Sequence, residues 1–134
     1  MKYNKPFQKF EYELRIKRTK QRMENVGFDL LICQDPANLG WLTGFDGWSF
    51  YTPQAVLVHL EETDPIWFGR AQDAKSAQIT TNIPDKNIIG YSDEKLKGLK
   101  IEPFLYYFSN ISRTEGINNS SNCFNIFLIS FTAS

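Results

Sequence analysis

The chain contains a single histidine, and this limits the catalytic chemistry that its side chains can perform. His59 alternates with apolar residues in the segment QAVLVHL, a pattern that favours a structural or surface histidine over a catalyst. Any nucleophilic triad or dyad would have to use this one imidazole, and Ser49 lacks the GxSxG context of a serine nucleophile. No cysteine pair lies near the histidine, which excludes a zinc site of the usual His/Cys kind. The sequence therefore predicts no catalytic residue and no metal site.

A paired-carboxylate site is also weakly supported. Asp35 and Asp46 are eleven residues apart, and no regular element places them side by side. Asp35 directly precedes Pro36, an arrangement typical of a helix N-cap followed by a first-turn proline. N-capping therefore explains Asp35 better than acid–base chemistry does.

The most distinctive cluster of residue types is aromatic. Phe45, Trp48, Phe50 and Tyr51 fall within the segment LTGFDGWSFYTPQ, whose glycines and proline predict a loop or an irregular lead-in to a strand. Four aromatic side chains in a loop are costly to leave exposed to water, so something must cover them. They either fold back over the sheet as a local core or form an aromatic wall at a ligand pocket or subunit interface.

Composition narrows the class of protein. Among 134 residues, 15 basic side chains balance 15 acidic ones, which argues against a general nucleic-acid binder or a binder of anionic membranes. Cys33 and Cys123 form neither a disulfide framework nor a metal-ligand spacing. The N-terminus lacks an apolar signal core, and no window is apolar enough to span a membrane. These observations predict a cytoplasmic protein.

Charge density divides the chain near residue 98. Residues 99–134 carry only four of the 30 charged side chains, so residues 1–98 carry the other 26. The tail joins two aromatic and aliphatic runs through a polar stretch and shows neither a helical nor a clean alternating period. The sequence predicts one domain over residues 1–98 and a divergent, poorly specified tail over residues 99–134.

The sequence of residues 1–98 predicts an α/β domain. A helix is predicted from about residue 10 to residue 26, because Tyr12, Ile16, Thr19, Met23 and Val26 repeat at steps of four and three. Gly27 supplies its C-terminal stop. The apolar runs and turn residues that follow predict a buried strand at 28–33, a short helix ended by Gly44, a strand at 54–60 with a hairpin partner at 65–68, a helix from Arg70 to about Thr81, and a strand at 87–91.

Three apolar residues near the N-terminus do not share the stripe of the first helix. Phe7, Phe10 and Leu14 are explained if the helix begins after Phe10, or if these residues face a partner. The basic residues on the other side of the helix are typical of a solvated face, since no aromatic platform for nucleic acid lies among them.

Three segments in this order resemble the N-terminal domain of the creatinase and Xaa-Pro dipeptidase family. They are the run EYELRIKRTKQRMENVGFDLLICQDPANLGWLTGFDGWSFYTPQ, then PIWFGRAQDA, then IIGYSDE. The resemblance covers about residues 10–95. Within the family, this part of the sequence is most similar to the ectoine hydrolase and creatinase-like branch.

The resemblance implies a two-domain hydrolase of the pita-bread type. Its N-terminal domain would be an α/β domain with a ribonuclease H-like mixed sheet and flanking helices, and its larger second domain would hold the active site. In the metallopeptidases of this family the second domain binds two divalent metal ions through two Asp, one His and two Glu residues. No cofactor is therefore expected in this chain, and the similarity fades after Glu94. On this comparison the chain is expected to be truncated, without the catalytic domain and inactive alone.

The resemblance also implies a role for the aromatic segment. In creatinase-like dimers the N-terminal domain reaches over the active site of the neighbouring subunit with an aromatic side chain, and the matching residues here are Trp48, Phe50 and Tyr51, with Phe50 as the closest match. Creatinase proper has an arginine beside that aromatic, whereas this chain has Tyr51 and Thr52. These three residues are thus candidates for substrate covering or for an interface.

Two hypotheses about function follow. In the first, the chain is the non-catalytic N-terminal domain of such a hydrolase, and its partners are a second copy of itself or the missing catalytic domain. In the second, it is a free-standing α/β interaction module that uses the aromatic residues 45–51. Neither hypothesis involves nucleic acid or a membrane.

Overall fold

The computed structural model describes residues 3–48 and 52–92 and the backbone of Ile126–Ile129. Contacts divide the chain into two units, of which residues 1–91 and 124–134 form the first and residues 92–123 the second. Every helix and strand described below lies in the first unit. In chain order they are α1 (Lys9–Val26), β1 (Leu30–Cys33), α2 (Pro36–Thr43), β2 (Ala55–His59), β3 (Ile66–Arg70), α3 (Ala74–Thr80), β4 (Ile88–Tyr91) and β5 (Ile126–Ile129).

Helix α1 confirms the predicted periodicity over most of its length. Tyr12, Ile16 and Met23 are buried, and Gly27 ends the helix in the left-handed conformation, with φ of 79°. The prediction was wrong for Val26, which is 65% exposed. In the same turn Met23 is buried in the core, so the buried face of α1 ends at Met23.

Helix α2 follows the predicted caps. Asp35 precedes the helix with an extended backbone, and its carboxylate accepts a hydrogen bond from the backbone N–H of Asn38 at 3.2 Å. Pro36 occupies the first turn, where its missing N–H costs nothing. Gly44 ends the helix with φ of 82° and donates its N–H to the carbonyl of Gly40. The predicted helix between Asp35 and Gly44 is confirmed.

The five strands form one mixed sheet in the order β4-β3-β2-β1-β5. Strand β2 is antiparallel to both β1 and β3, and the β2–β3 pair is the predicted hairpin. The outer pairs, β3 with β4 and β1 with β5, are parallel. The mixed α/β architecture predicted from the sequence is confirmed.

All three helices pack on one face of this sheet. Strands β1, β2 and β3 contribute Leu31, Cys33, Val56, Val58 and Trp67 to that core, and the indole of Trp67 is fully buried. The helices contribute the apolar side chains Ile16, Met23, Leu39, Leu42 and Ala77.

The opposite face of the sheet is buried as well. Ile32, Ala55, Leu57 and Phe68 alternate with the core residues along their strands, and each is at most 4% exposed. The ring of Phe68 lies 5.1 Å from that of Tyr91. Strand β1 is therefore buried on both faces, as its continuous apolar sequence predicts.

The predicted helix from Arg70 to Thr81 is divided in the structure. Residues Ala71–Asp73 form a tight 3₁₀ turn, and α3 begins only at Ala74. The turn brings Ala71 against β4, because a Cβ built on Gly90 would lie 2.7 Å from the Cα of Ala71. The backbones of Ala71 and Gly90 therefore approach closely where the chain leaves β3.

Strand β5 lies in the segment for which the sequence predicted no element. Its residues pair with β1 in parallel, with Leu30 opposite Ile126 and Cys33 opposite Ile129. Local sequence patterns cannot predict this parallel pairing, because the two strands are more than 90 residues apart in sequence. The predicted boundary at residues 98 and 99 lies outside the described residues. Among the helices that the structure describes, none is both long and apolar enough to cross a membrane.

Candidate functional site

The candidate site is the aromatic segment, which we define as residues 45–51. The structure describes its first half, Phe45 to Trp48, whereas Phe50 and Tyr51, two of the three predicted interface residues, lie outside the described residues. The described half divides into an anchored part, Phe45 to Gly47, and the exposed Trp48.

The base of the segment is fixed by Gly44. This residue holds a left-handed backbone, and a Cβ on it would lie 2.9 Å from the hydroxyl of Tyr12 and 3.3 Å from the carbonyl oxygen of Thr80. Only glycine combines this conformation with so close an approach. Helices α1, α2 and α3 therefore meet at the point where the segment begins.

Phe45 belongs to the hydrophobic core. It is 5% exposed, and its ring lies 5.4 Å from the indole of Trp67 at an interplanar angle of 49°. Its backbone N–H donates to the hydroxyl of Thr43 at 3.3 Å. Gly47 lies against the ring of Phe45, where a side chain would not fit. For Phe45 the local-core interpretation is correct.

Asp46 is held to α3 rather than to another carboxylate. Its backbone N–H donates to the hydroxyl of Thr80 at 3.4 Å, and its side chain lies beside the hydroxyl of Tyr3. Burial, and secondly the charge and hydrogen-bond acceptor of Asp46, raise the pKa of Tyr3. Asp35 caps α2 instead, so the two aspartates have separate structural roles.

Trp48 is the most exposed large apolar side chain among the described residues, at 83%. An indole carries a large apolar surface and one hydrogen-bond donor, a combination that is enriched at the centres of protein interfaces. It lies one residue after Gly47, which packs against the buried ring of Phe45, so the residue before Trp48 is in contact with the core. This geometry is suited to insertion into a partner.

A second exposed apolar cluster surrounds Arg15 on α1 and α2. The Arg15 guanidinium lies 4.4 Å from the ring centre of Phe7 and 5.3 Å from that of Trp41, and it donates to the carbonyl of Trp41. Phe10 and Leu14 are also exposed, at 64% and 42%. Helix α1 begins at Lys9, so the explanation that the helix starts after Phe10 is wrong.

His59 and Cys33 lie on strands β2 and β1, away from the aromatic segment in sequence. His59 ends β2, and its Nδ1 accepts a hydrogen bond from the backbone N–H of Glu61 at 3.1 Å. Cys33 is 2% exposed, and burial, with a smaller contribution from Asp35, raises the pKa of its thiol to about 11. A thiol with that pKa is a poor nucleophile near neutral pH. Within residues 3–48 and 52–92, no three Asp, Glu, His or Cys side chains come close enough to hold a metal ion.

An open cleft of about 580 Å³ runs along α1 beside the β2–β3 turn. Its lining mixes lysines and carboxylates, and Lys9 pairs with Glu13 at 3.5 Å. Lys20 donates to the carbonyl of Glu62. Two of the lysines that line the cleft, Lys9 and Lys20, therefore have partners within the chain.

Sequence reasoning found the aromatic residues but missed the residues that anchor them. Tyr3, Gly47 and Thr80 carry no local signal, since their partners are distant in sequence or depend on the fold. Phe45 did have a usable signal. An apolar residue directly after a C-terminal glycine commonly packs back on its own helix, and this rule predicts a core position.

Comparison with known proteins identifies a family over most of the chain. The family described as the creatinase/prolidase N-terminal domain matches residues 15–106. A hydrolase/peptidase of Sinorhizobium fredii, described as uncharacterized, is 51% identical over 87 residues, which are 65% of this chain and 22% of that protein. The ectoine hydrolase of Halomonas elongata is 39% identical over 111 residues, which are 83% of this chain and 28% of the enzyme.

Solved structures share the fold. The N-terminal domain of an Xaa-Pro dipeptidase from Lactobacillus brevis superposes with a TM-score of 0.58 over 74% of this chain and 67% of that domain, at 19% identity. The creatinase/prolidase N-terminal domain of an X-Pro dipeptidase from Streptococcus pyogenes superposes with a TM-score of 0.54 over 66% of this chain and 69% of that one, at 22% identity. At these identities the superpositions establish the architecture alone.

Proposed function

The chain belongs to the creatinase/prolidase N-terminal domain family, and from this premise we propose that it serves as the non-catalytic N-terminal domain of a C–N bond hydrolase. Ectoine hydrolase and Xaa-Pro dipeptidase activities are the candidates, because proteins of those names are among its relatives and structural neighbours. The chain spans 22 to 28% of the length of the curated relatives described above. We assign the hydrolytic residues to the part of those relatives that the match does not include.

Within that role, the aromatic segment mediates dimerisation and covers the active site of a partner subunit. The observation that carries this proposal is Trp48, which is 83% exposed one residue after an anchored glycine. Replacing a tryptophan at the centre of an interface typically costs about 2 kcal/mol or more, which corresponds to roughly a thirtyfold loss of affinity. Phe50 and Tyr51 are included in this proposal on the basis of the sequence.

The domain is proposed to need no cofactor of its own, to act in the cytoplasm and to bind neither nucleic acid nor membrane. The balanced charge of the chain supports the last two statements, since both kinds of binding rely on excess Lys and Arg. The two divalent metal ions of the metallopeptidase relatives are assigned to the catalytic domain.

A free-standing interaction module is the second candidate function, and the structure offers it a surface other than residues 45–51, through which the sequence predicted it to bind. That surface is the pair of half-exposed rings, Phe7 and Trp41, that lie over the guanidinium of Arg15. A module of this kind would bind its partner through Trp41 rather than Trp48.

Sedimentation velocity separates the two candidates. We expect the wild-type chain to self-associate and a Trp48→Ser variant to lose about thirtyfold in affinity, since the substitution removes an interface anchor. Trp41→Ser is the matched control, because Trp41 is half exposed on α2. Loss of association in Trp41→Ser alone would favour the interaction module, and a monomeric wild-type chain at all concentrations would contradict the dimer.

The non-catalytic assignment is tested by activity assays. The purified chain should not hydrolyse Xaa-Pro dipeptides, creatine or ectoine, with or without manganese, cobalt or zinc. A dinuclear hydrolytic site needs several carboxylates and a histidine around two metals about 3.5 to 4 Å apart, and this chain has one histidine. Turnover that disappears in a His59→Ala variant would overturn the assignment and make His59 catalytic.

A further inference from the structure

The residues before α1, Tyr3 to Phe7, lie against elements that are distant in sequence. The ammonium group of Lys5 donates to the carbonyl of Thr81 at 2.5 Å and to the side-chain oxygen of Asn82 at 2.7 Å. Both acceptors directly follow α3, so Lys5 satisfies a carbonyl at the C-terminal end of that helix. Lys5 is half-buried, and this burial lowers the pKa of its amine.

A second contact joins residues Tyr3 to Phe7 to the aromatic segment. The hydroxyl of Tyr3 lies beside the carboxylate of Asp46, and the backbone N–H of Asp46 donates to the hydroxyl of Thr80. Asp46 is thus held on one side by the N-terminal residues and on the other by the last residue of α3, which immediately precedes the Lys5 acceptor Thr81.

A third contact is made by the aromatic ring of Phe7. The ring of Phe7 meets that of Tyr12 edge to face at 6.1 Å, and the guanidinium of Arg15 lies 4.4 Å from the centre of the Phe7 ring. Tyr12 in turn places its hydroxyl against Gly44, where the aromatic segment begins. The second and third contacts therefore end on residues at the base of this segment, and the first ends on Thr81, the neighbour of Thr80.

We propose that Tyr3–Phe7 is a strap that holds the loop Gly44–Trp48 in one orientation and so sets how Trp48 is presented to a partner. Release of the strap frees Asp46 from Tyr3 and leaves the carbonyl of Thr81 without its lysine. The loop then samples other orientations. Binding of a partner must order the loop again, and this cost weakens the affinity. The consequence for binding rests on the function proposed above, whereas the strap itself does not.

Amide hydrogen exchange on the full chain tests the strap. Tyr3→Phe removes only the hydroxyl, and Lys5→Met keeps the apolar stem but removes the donor. In both variants we expect the amide of Asp46 to exchange at least tenfold faster, while the amides of Ile16 in α1 and Val58 in β2 keep their wild-type rates. Lys75→Met is the matched control, because Lys75 is exposed on α3, and it should leave the Asp46 amide unchanged.

Two results would overturn the strap. Unchanged exchange at Asp46 in Tyr3→Phe would show that the loop is fixed without it. Equal acceleration of the Asp46, Ile16 and Val58 amides would show that the N-terminal residues support the whole domain rather than the loop. If Lys5→Met does not fold, Tyr3→Phe decides the question alone.

The strap and the proposed function fail in different ways. If the strap variants accelerate exchange at Asp46 but Trp48→Ser leaves self-association unchanged, the proposed interface is wrong and the strap stands. If Trp48→Ser weakens association but exchange at Asp46 is unaffected by Tyr3→Phe, the interface stands and the strap is wrong.

Discussion

Phe45 and Trp48 are three residues apart in one aromatic segment, yet they have opposite environments. Phe45 is 5% exposed and packs against Trp67, whereas Trp48 is 83% exposed. Their residue types do not explain the difference, because both side chains are large and apolar. What separates them is their position relative to the cap of α2.

Phe45 follows the C-terminal glycine of α2 directly, and the left-handed backbone at Gly44 turns it back toward the core. Gly47 then covers its ring. Trp48 comes after this cover and lies beyond the core. The comparison shows that two glycines can divide one segment between a buried and an exposed aromatic side chain.

The largest expected change in the free energy of unfolding is at Phe45, the buried residue of this pair. Phe45→Ala should lower the free energy of unfolding by about 3 to 5 kcal/mol, because it leaves a cavity against Trp67. Urea unfolding followed by circular dichroism measures this. Phe10→Ala is the control, since Phe10 is 64% exposed, and it should cost no more than about 0.5 kcal/mol. Equal effects of the two substitutions would refute the division.

Gly44 is the next most sensitive position. Gly44→Ala should lower the free energy of unfolding by about 2 to 3 kcal/mol, since it adds a steric conflict with Tyr12 to the cost of a left-handed backbone. Gly27→Ala is the matched control, because Gly27 has nearly the same φ but open space around its Cβ. It should cost about 1 kcal/mol. If the two variants are equally stable, the close approach at Gly44 has no energetic weight.

A smaller effect is expected at the other end of α2. Asp35→Ala should lower the free energy of unfolding by about 1 kcal/mol, because the N–H of Asn38 loses its cap. Asp35→Asn retains a capping oxygen and should cost less. The same urea titration measures both variants. If the alanine variant were as stable as the asparagine variant, the cap would not help to fix α2.

Much of the fold could be predicted because its signals are local. Asp35, Pro36 and Gly44 delimit α2 within ten residues, and Gly27 ends α1. Strand β5 could not be predicted in this way, because its pairing with β1 depends on residues remote in sequence. The close approach of Ala71 to Gly90 beside α3 is also a tertiary contact, so no local signal predicts it.

The sequence predicted which aromatic residues form the candidate site, but not which of them are buried and which are exposed. Spacing identified Trp48 among the aromatic residues and left core and interface equally open. The contacts that hold residues of the segment join Phe45 to Trp67 and Asp46 to Thr80, the second across 34 residues. Such contacts follow from the assembled sheet and helices, so no window of the sequence contains them.

The claim that Trp48 stabilises association and not the fold is tested most directly by unfolding at several protein concentrations. Folded dimers are favoured by mass action, so the urea midpoint of the wild-type chain should rise across a hundredfold increase in concentration. The Trp48→Ser variant should match the wild type at the lowest concentration and should not rise. A variant midpoint that is lower than the wild type by the same amount at every concentration would place Trp48 in the core and contradict the account.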